Sequence, residues 1–136
     1  MKRTPLLNRH LSALIATLGH GDRIVLADAG LPIPPGVPVI DLAVVAGLPT
    51  LLDVLNAIKG ELMIEAATRA TEASPDLSNS IDTALAAWAK DQGREIDRRV
   101  IGHEDFKVET GTARAIIRTG EVTPYANLIL FSGVAF

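Results

Sequence analysis

Hydrophobic positions along this chain change between helical spacing and short continuous runs. An amphipathic helix is indicated by apolar side chains that recur every three or four residues, at Leu7, Leu11, Leu14, Ile15 and Leu18. Gly19 follows, where a helix can end. The next apolar run, 23–27, is too short and too rich in β-branched residues for a helix, so it predicts a buried strand. The pattern therefore opens with helix, turn and strand.

The same alternation continues to the carboxyl end. Four prolines between 32 and 38 predict an ordered loop, because proline fixes φ and lacks a backbone donor. Thr50, with Asp53 three residues later, predicts a capped helix over 51–58, and Ser74 before a proline opens a helix that runs to Gly93. A short helix is predicted from His103. Further strands are predicted at 39–42, 62–67, 95–101, 113–118 and 128–131.

Alternating strands and helices favour one α/β domain over residues 1–136. The fold class expected is a three-layer α/β/α sandwich with a largely parallel sheet. The last two predicted strands have no helix between them, so they are expected to add an antiparallel or mixed edge.

Composition restricts the possible partners. The chain has 136 residues, of which 48% are hydrophobic and 21% charged, so part of its surface is expected to be buried by self-association. A net charge of -3 without a basic run argues against nucleic acid. The sequence lacks cysteine, which excludes disulfides and thiolate chemistry. No apolar run is long enough for a membrane span, and the amino terminus does not resemble a signal peptide; we therefore expect a cytoplasmic protein without a membrane partner.

Two polar residues bracket the first predicted strand. His20 lies in a glycine-flanked turn, where its imidazole could be a general acid and base or simply an exposed turn histidine. Asp28 follows the strand at its carboxyl end, where open α/β sheets tend to bind ligands. The alternative for Asp28 is a local turn in which its side chain binds the next backbone amides.

A second group of polar residues lies in the carboxyl-terminal third. His103 follows a predicted strand and is either a ligand contact or only the first residue of a helix. Tyr125 and Asn127 come after a proline, and we expect a stiff loop rather than the core to present both. A phenol hydroxyl and a carboxamide suit a sugar, although a turn-forming tyrosine and a strand-initiating asparagine would look the same.

Motifs for metals and cofactors are missing. The histidines, His10, His20 and His103, do not have the spacing of metal ligands. The Gly19-His20-Gly21 segment lacks a third glycine and precedes a strand, so it is not a dinucleotide or phosphate loop. Ser132 lacks the context of a nucleophile elbow. The remaining chemistry is proton transfer on a polar substrate, with neither metal nor cofactor.

Five segments, taken in order and spacing, resemble the D-ribose pyranase and L-fucose mutarotase family along essentially the whole chain. They are 18–22, 28–34, 103–107, 117–121 and 124–130. The resemblance implies a cofactor-free enzyme that interconverts the pyranose and furanose rings of ribose, within a ring-shaped decamer. It also implies a site with His20 as proton donor and with sugar-binding residues Asp28, His103, Tyr125, Ala126 and Asn127.

Several alternatives stay open at this point. A histidine at 103, where fucose mutarotases carry arginine, favours ribose, but a mutarotase for L-fucose or another monosaccharide is the runner-up. A non-catalytic, transport-associated sugar-binding subunit is the alternative from another class. Asp28 is expected to hold either sugar hydroxyls or the tautomer of His20. In the decamer that the resemblance implies, the sites are expected near subunit interfaces. His20 and Asp28 lie far in sequence from the other site residues, so it stays open whether they meet them within one chain or across a subunit boundary.

Overall fold

The computed structural model describes residues 1–136, and helices and strands alternate along it as the sequence predicts. The helices are α1 (Arg9–Thr17), α2 (Leu51–Ile58), α3 (Pro75–Gln92) and α4 (His103–Thr110). The strands are β1 (Arg23–Ala27), β2 (Val39–Asp41), β3 (Ile64–Ala70), β4 (Asp97–Ile101), β5 (Ala115–Arg118) and β6 (Leu128–Ser132). The bounds differ from the predicted ones by at most three residues.

Side-chain caps begin three of the helices. Asn8 accepts the backbone N–H groups of His10 and Leu11 at the start of α1. The predicted reciprocal capping of Thr50 and Asp53 is present at α2, and Ser74 caps α3. These caps accept amide groups that the first turn of a helix leaves unpaired. The starts of α2 and α3 could therefore be predicted from the capping residues.

All six strands form one sheet in the order β2-β5-β1-β6-β3-β4. Only β6 is antiparallel to its neighbours, β1 and β3. The sheet is thus largely parallel, as predicted, but the expectation of an antiparallel edge was wrong because β6 lies in the middle. Every residue of β6 is buried, and a strand so apolar on both faces is stable only between other strands and beneath helices on both sides.

Helices cover both faces of the sheet. The larger core cluster, which contains 20 buried residues, packs α1, α2 and α3 against one face. A smaller cluster of eight buried residues around Phe106 places α4 on the other face. The three-layer α/β/α prediction is therefore confirmed. None of the helices is long and apolar enough to cross a membrane.

The strand directions define two opposite ends of the sheet, each formed by the ends of several strands. At the first, which we call the carboxyl edge, β1, β3 and β4 end and β6 begins. At the opposite edge, the amino edge, β1 and β3 begin and β6 ends. Asp28 and Asn127 therefore lie at the carboxyl edge, whereas His20 lies at the amino edge.

Candidate active site

Asp28 and Asn127 form a pair of hydrogen bonds across β1 and β6. The Nδ2 of Asn127 donates to Asp28 Oδ2 at 2.8 Å, and the backbone N–H of Asp28 donates to Asn127 Oδ1 at 2.8 Å. The other carboxylate oxygen accepts the N–H of Gly30 at 2.9 Å, so the local turn anticipated for Asp28 is also present. Each carboxylate oxygen keeps acceptor capacity for a ligand hydroxyl. Both donors orient the carboxylate at the carboxyl edge.

Burial distinguishes the two members of this pair. Asp28 is partly exposed, whereas Asn127 is 0% exposed. The expectation that Asn127 lies outside the core was therefore wrong, while its role in sugar binding stays a prediction. The carboxamide lies beneath Asp28 because β6 begins inside the sheet, and it satisfies polar groups that burial would otherwise leave unpaired.

Tyr125 and His103 place two rings together at the same edge. Their ring centroids are 5.0 Å apart at an interplanar angle of 81°, a favourable edge-to-face contact. Tyr125 has a φ of 64°, a left-handed conformation that is unusual for a bulky side chain and that costs energy. The N–H of Asn127 donates to the carbonyl oxygen of Tyr125 at 2.8 Å and closes this turn. The strained turn directs the tyrosine ring toward His103.

His103 combines a fixed backbone with an unpaired ring nitrogen. Its backbone N–H donates to both carboxylate oxygens of Glu72, each at 3.0 Å. This bond holds the pKa of Glu72 below its ordinary value and places a negative charge at the start of α4, where Gly102 supplies no side-chain cap. Nδ1 of His103 is buried without a hydrogen-bond partner. A buried polar atom nearly always has a hydrogen-bond partner, so this unpaired nitrogen marks His103 as a candidate ligand contact.

Ala126 offers only its backbone. Its methyl group is 0% exposed and belongs to the larger core cluster. Its N–H donates to the carbonyl oxygen of Thr123 at 3.2 Å, which leaves the carbonyl as the group that could face a sugar.

Glu121 organises the loop that carries Tyr125. Its Oε1 accepts the N–H groups of Val122 and Thr123, each at 3.0 Å, and its Oε2 accepts the N–H of Leu51 in α2 at 3.2 Å. Burial raises the pKa of Glu121, but these hydrogen bonds outweigh burial and hold the pKa below the ordinary 4.5. The loop before β6 is thereby tied to the first turn of α2.

Replacing Glu121 by alanine is expected to lower the free energy of unfolding by about 1–3 kcal/mol, since three N–H groups, one of them on the buried Leu51, lose a charged acceptor. The wild-type carboxylate stabilises the fold above about pH 4.5 and loses this contribution as the pH falls through its lower folded pKa. Glu121→Gln should lack that part of the acid dependence. Urea unfolding near neutral and acid pH measures both effects, with exposed Glu104→Ala as the control. Equal acid sensitivity of wild type and Glu121→Gln would contradict this role.

His20 lies apart from the cluster just described. The five residues of β1 separate it from Asp28, and at about 3.3 Å per residue the distance is on the order of 17 Å or more. His20 Nε2 instead contacts Glu65 Oε2 at 2.8 Å. Within one chain, Asp28 therefore does not hold the His20 tautomer. The fold brings together Asp28, His103, Tyr125 and Asn127 but leaves His20 at the opposite edge.

Sequence reasoning did not identify Glu65, Glu72 or Glu121. Glutamates are usually solvated surface charges. No local pattern indicates that Glu72 accepts the distant N–H of His103, or that Glu121 accepts the distant N–H of Leu51. Glu65 does carry a signal, because it interrupts an otherwise buried stretch at the start of β3.

Comparison with known proteins gives a consistent result. The sequence model of the RbsD / FucU transport protein family matches residues 1–135. The D-ribose pyranase of Paracidovorax citrulli is 52% identical over 136 residues, which cover 100% of both chains.

Solved structures of related proteins also match essentially the whole chain. Bacillus subtilis RbsD complexed with D-ribose superposes with a TM-score of 0.86 at 40% identity and covers 100% of both chains. The fucose mutarotase of Streptococcus pneumoniae in complex with L-fucose gives a TM-score of 0.76 at 26% identity, covering 98% of this chain and 99% of that one. Both the TM-score and the sequence identity are higher for the ribose-bound protein than for the fucose-bound one.

Proposed function

Because the chain belongs to the RbsD / FucU transport protein family, we propose that it interconverts the pyranose and furanose rings of D-ribose. One observation carries this proposal: a carboxylate, a phenol and an unpaired imidazole nitrogen lie at one edge of the sheet, on Asp28, Tyr125 and His103. Such a set offers donors and acceptors to several sugar hydroxyls. The full-length similarity to a D-ribose pyranase and to a ribose-bound structure supports ribose as the substrate.

Ring interconversion needs only proton transfer. A general acid protonates the ring oxygen while its bond to C1 breaks, and the anomeric hydroxyl loses its proton as C1 becomes the aldehyde. Another hydroxyl then attacks C1, and both proton transfers run in reverse. We assign the acid to His20 and the hydroxyl contacts to Asp28 and Tyr125. The unpaired Nδ1 of His103 is the candidate that takes and returns the anomeric proton.

This assignment requires two copies of the chain at each site. His20 is separated from Asp28 by the length of β1, so we propose that the His20 of one subunit reaches the carboxyl edge of its neighbour. A contact between opposite edges is head to tail, and such contacts form a ring when the rotation between neighbouring subunits closes. The ring-shaped decamer implied by family resemblance fits that geometry. Exposed apolar side chains suited to such contacts include Leu7, Val44, Val45, Leu48, Val108 and Val122.

Exchange between ring forms tests the function directly. Saturation-transfer NMR on ribose with catalytic amounts of protein should show pyranose-furanose exchange well above the solvent rate. L-Fucose should exchange more slowly than ribose at equal concentration. Faster exchange of fucose would instead support a fucose mutarotase. Ribose binding with exchange at the solvent rate would support a non-catalytic subunit, the role that a transport family description suggests.

We also propose that the protein acts in the cytoplasm, and fractionation of the source cells would test this location.

A further inference from the structure

A second carboxylate lies at the amino edge, away from the sugar-holding cluster. Glu65 Oε2 is 2.8 Å from His20 Nε2, although the two residues are 45 positions apart. We propose that Glu65 is the positioning residue of His20, that it fixes the tautomer protonated at Nε2, and that Nδ1 is the nitrogen that exchanges a proton with the sugar. This inference rests on the proposed function, in which His20 is the acid.

The turn that carries His20 is fixed on both sides. The N–H of Asp22 donates to the carbonyl oxygen of Gly19 at 3.1 Å, and the carboxylate of Asp22 accepts the N–H of Gly19 at 2.8 Å. Gly21 is the third residue of the turn from Gly19 to Asp22, and its φ of 79° is a left-handed conformation that favours glycine. The N–H of Gly21 also donates to the carbonyl oxygen of Ser132 at 2.8 Å. The backbone of His20 is therefore anchored to the end of β6.

Glu65 occupies a β-bulge that directs its side chain. Ile64 pairs with Ser132 and Ala66 pairs with Phe131, so Glu65 is an extra residue between two consecutive pairs of β3 and β6. Bulges change the direction of a side chain and occur often beside active sites. The side chain of Gln92 binds the N–H of Ile64 at 3.2 Å and its carbonyl oxygen at 2.8 Å, which anchors the start of the bulge to α3. The backbone at both His20 and Glu65 is therefore held in place by hydrogen bonds to neighbouring elements.

The chemistry of the pair determines which nitrogen reacts. An ionised carboxylate only accepts hydrogen bonds, so the nitrogen facing Glu65 must carry a proton in both charge states of the ring. In the imidazolium form, Nδ1–H protonates the ring oxygen as the C1–O bond breaks, and this leaves the neutral ring protonated at Nε2. On closure, the attacking hydroxyl returns its proton to Nδ1. Glu65 keeps its own proton count throughout and stabilises the cation, as carboxylates do beside catalytic histidines.

Magic-angle-spinning NMR of protein labelled with ¹⁵N-histidine tests the tautomer without an activity assay. The chain has only three histidines, so the His20→Asn spectrum identifies the His20 signals by difference. At alkaline pH we expect Nε2 protonated and Nδ1 bare in the wild type. Glu65→Ala should convert this to a mixture of tautomers. A wild-type ring protonated at Nδ1, or an unchanged spectrum in Glu65→Ala, would overturn the inference.

Kinetics give the second readout. Glu65→Ala should lower kcat for ring exchange about tenfold to a hundredfold, the cost known for losing the carboxylate that orients a metal-ligating histidine, while KM for ribose stays constant. Glu65→Gln should recover part of kcat, because its amide oxygen can still accept from Nε2–H. The side chains of His20 and Glu65 are 61% and 48% exposed, so thermal unfolding should hardly change. The matched control is Glu95→Ala, an exposed glutamate near the start of β4.

These outcomes separate the inference from the proposed function. A fully active His20→Ala protein would refute the function assigned to His20. Loss of exchange in His20→Ala together with wild-type kcat in Glu65→Ala would leave that function intact and refute the role of Glu65.

Discussion

Replacing His20 by alanine is expected to lower pyranose-furanose exchange of ribose by about 10²- to 10⁴-fold, the usual contribution of a positioned general acid. The alanine variant retains every contact of the carboxyl edge, so ribose should still bind. The imidazole is exposed and outside both core clusters, and its removal should leave folding intact. Saturation-transfer NMR measures the exchange rate, and calorimetry measures ribose binding.

His10→Ala is the matched control for this prediction. His10 is exposed in α1, and its side chain makes no hydrogen bond in the structure. The control should exchange ribose at the wild-type rate. Exchange at the wild-type rate in His20→Ala as well would show that another group protonates the ring oxygen.

Local patterns predicted most of the secondary structure. The caps at Thr50 and Ser74 lie within three residues of the amides they bind, so the sequence contains the whole interaction. The buried run of β1 was equally clear because its length and β-branched residues exclude a helix. The central position of β6 depended instead on pairing with β1 and β3, which lie far away in sequence, and no local pattern specifies that pairing.

The candidate site was predictable only in part for the same reason. A carboxylate at the carboxyl end of a predicted strand indicated that Asp28 lies at a ligand-binding end of the sheet. Its bond to Asn127, 99 positions away, required the order of the strands. The separation of His20 from Asp28 was implicit in the sequence, since a strand between two residues places them at opposite edges of a sheet. That separation has the greatest consequence for function, because the proposed mechanism then needs His20 from a second subunit.

Restored activity in mixed assemblies is the second large effect expected. His20→Ala and Asp28→Asn should each be nearly inactive alone, since each removes one half of every site. In a ring built from both variants, some contacts join an intact His20 of one subunit to an intact Asp28 of its neighbour. For random assembly in equal amounts, about one quarter of the contacts have this composition, because each contact between neighbours draws one residue from either side.

Co-expression of these two variants with different affinity tags, followed by purification through both tags, provides the most direct test of a site shared between subunits. Assemblies of each variant alone, purified in the same way, are the controls. We predict that the mixed assemblies exchange ribose at about one quarter of the wild-type rate per chain. Mixed assemblies as inactive as the two parents would show that His20 and Asp28 act within a single chain, and would contradict the account.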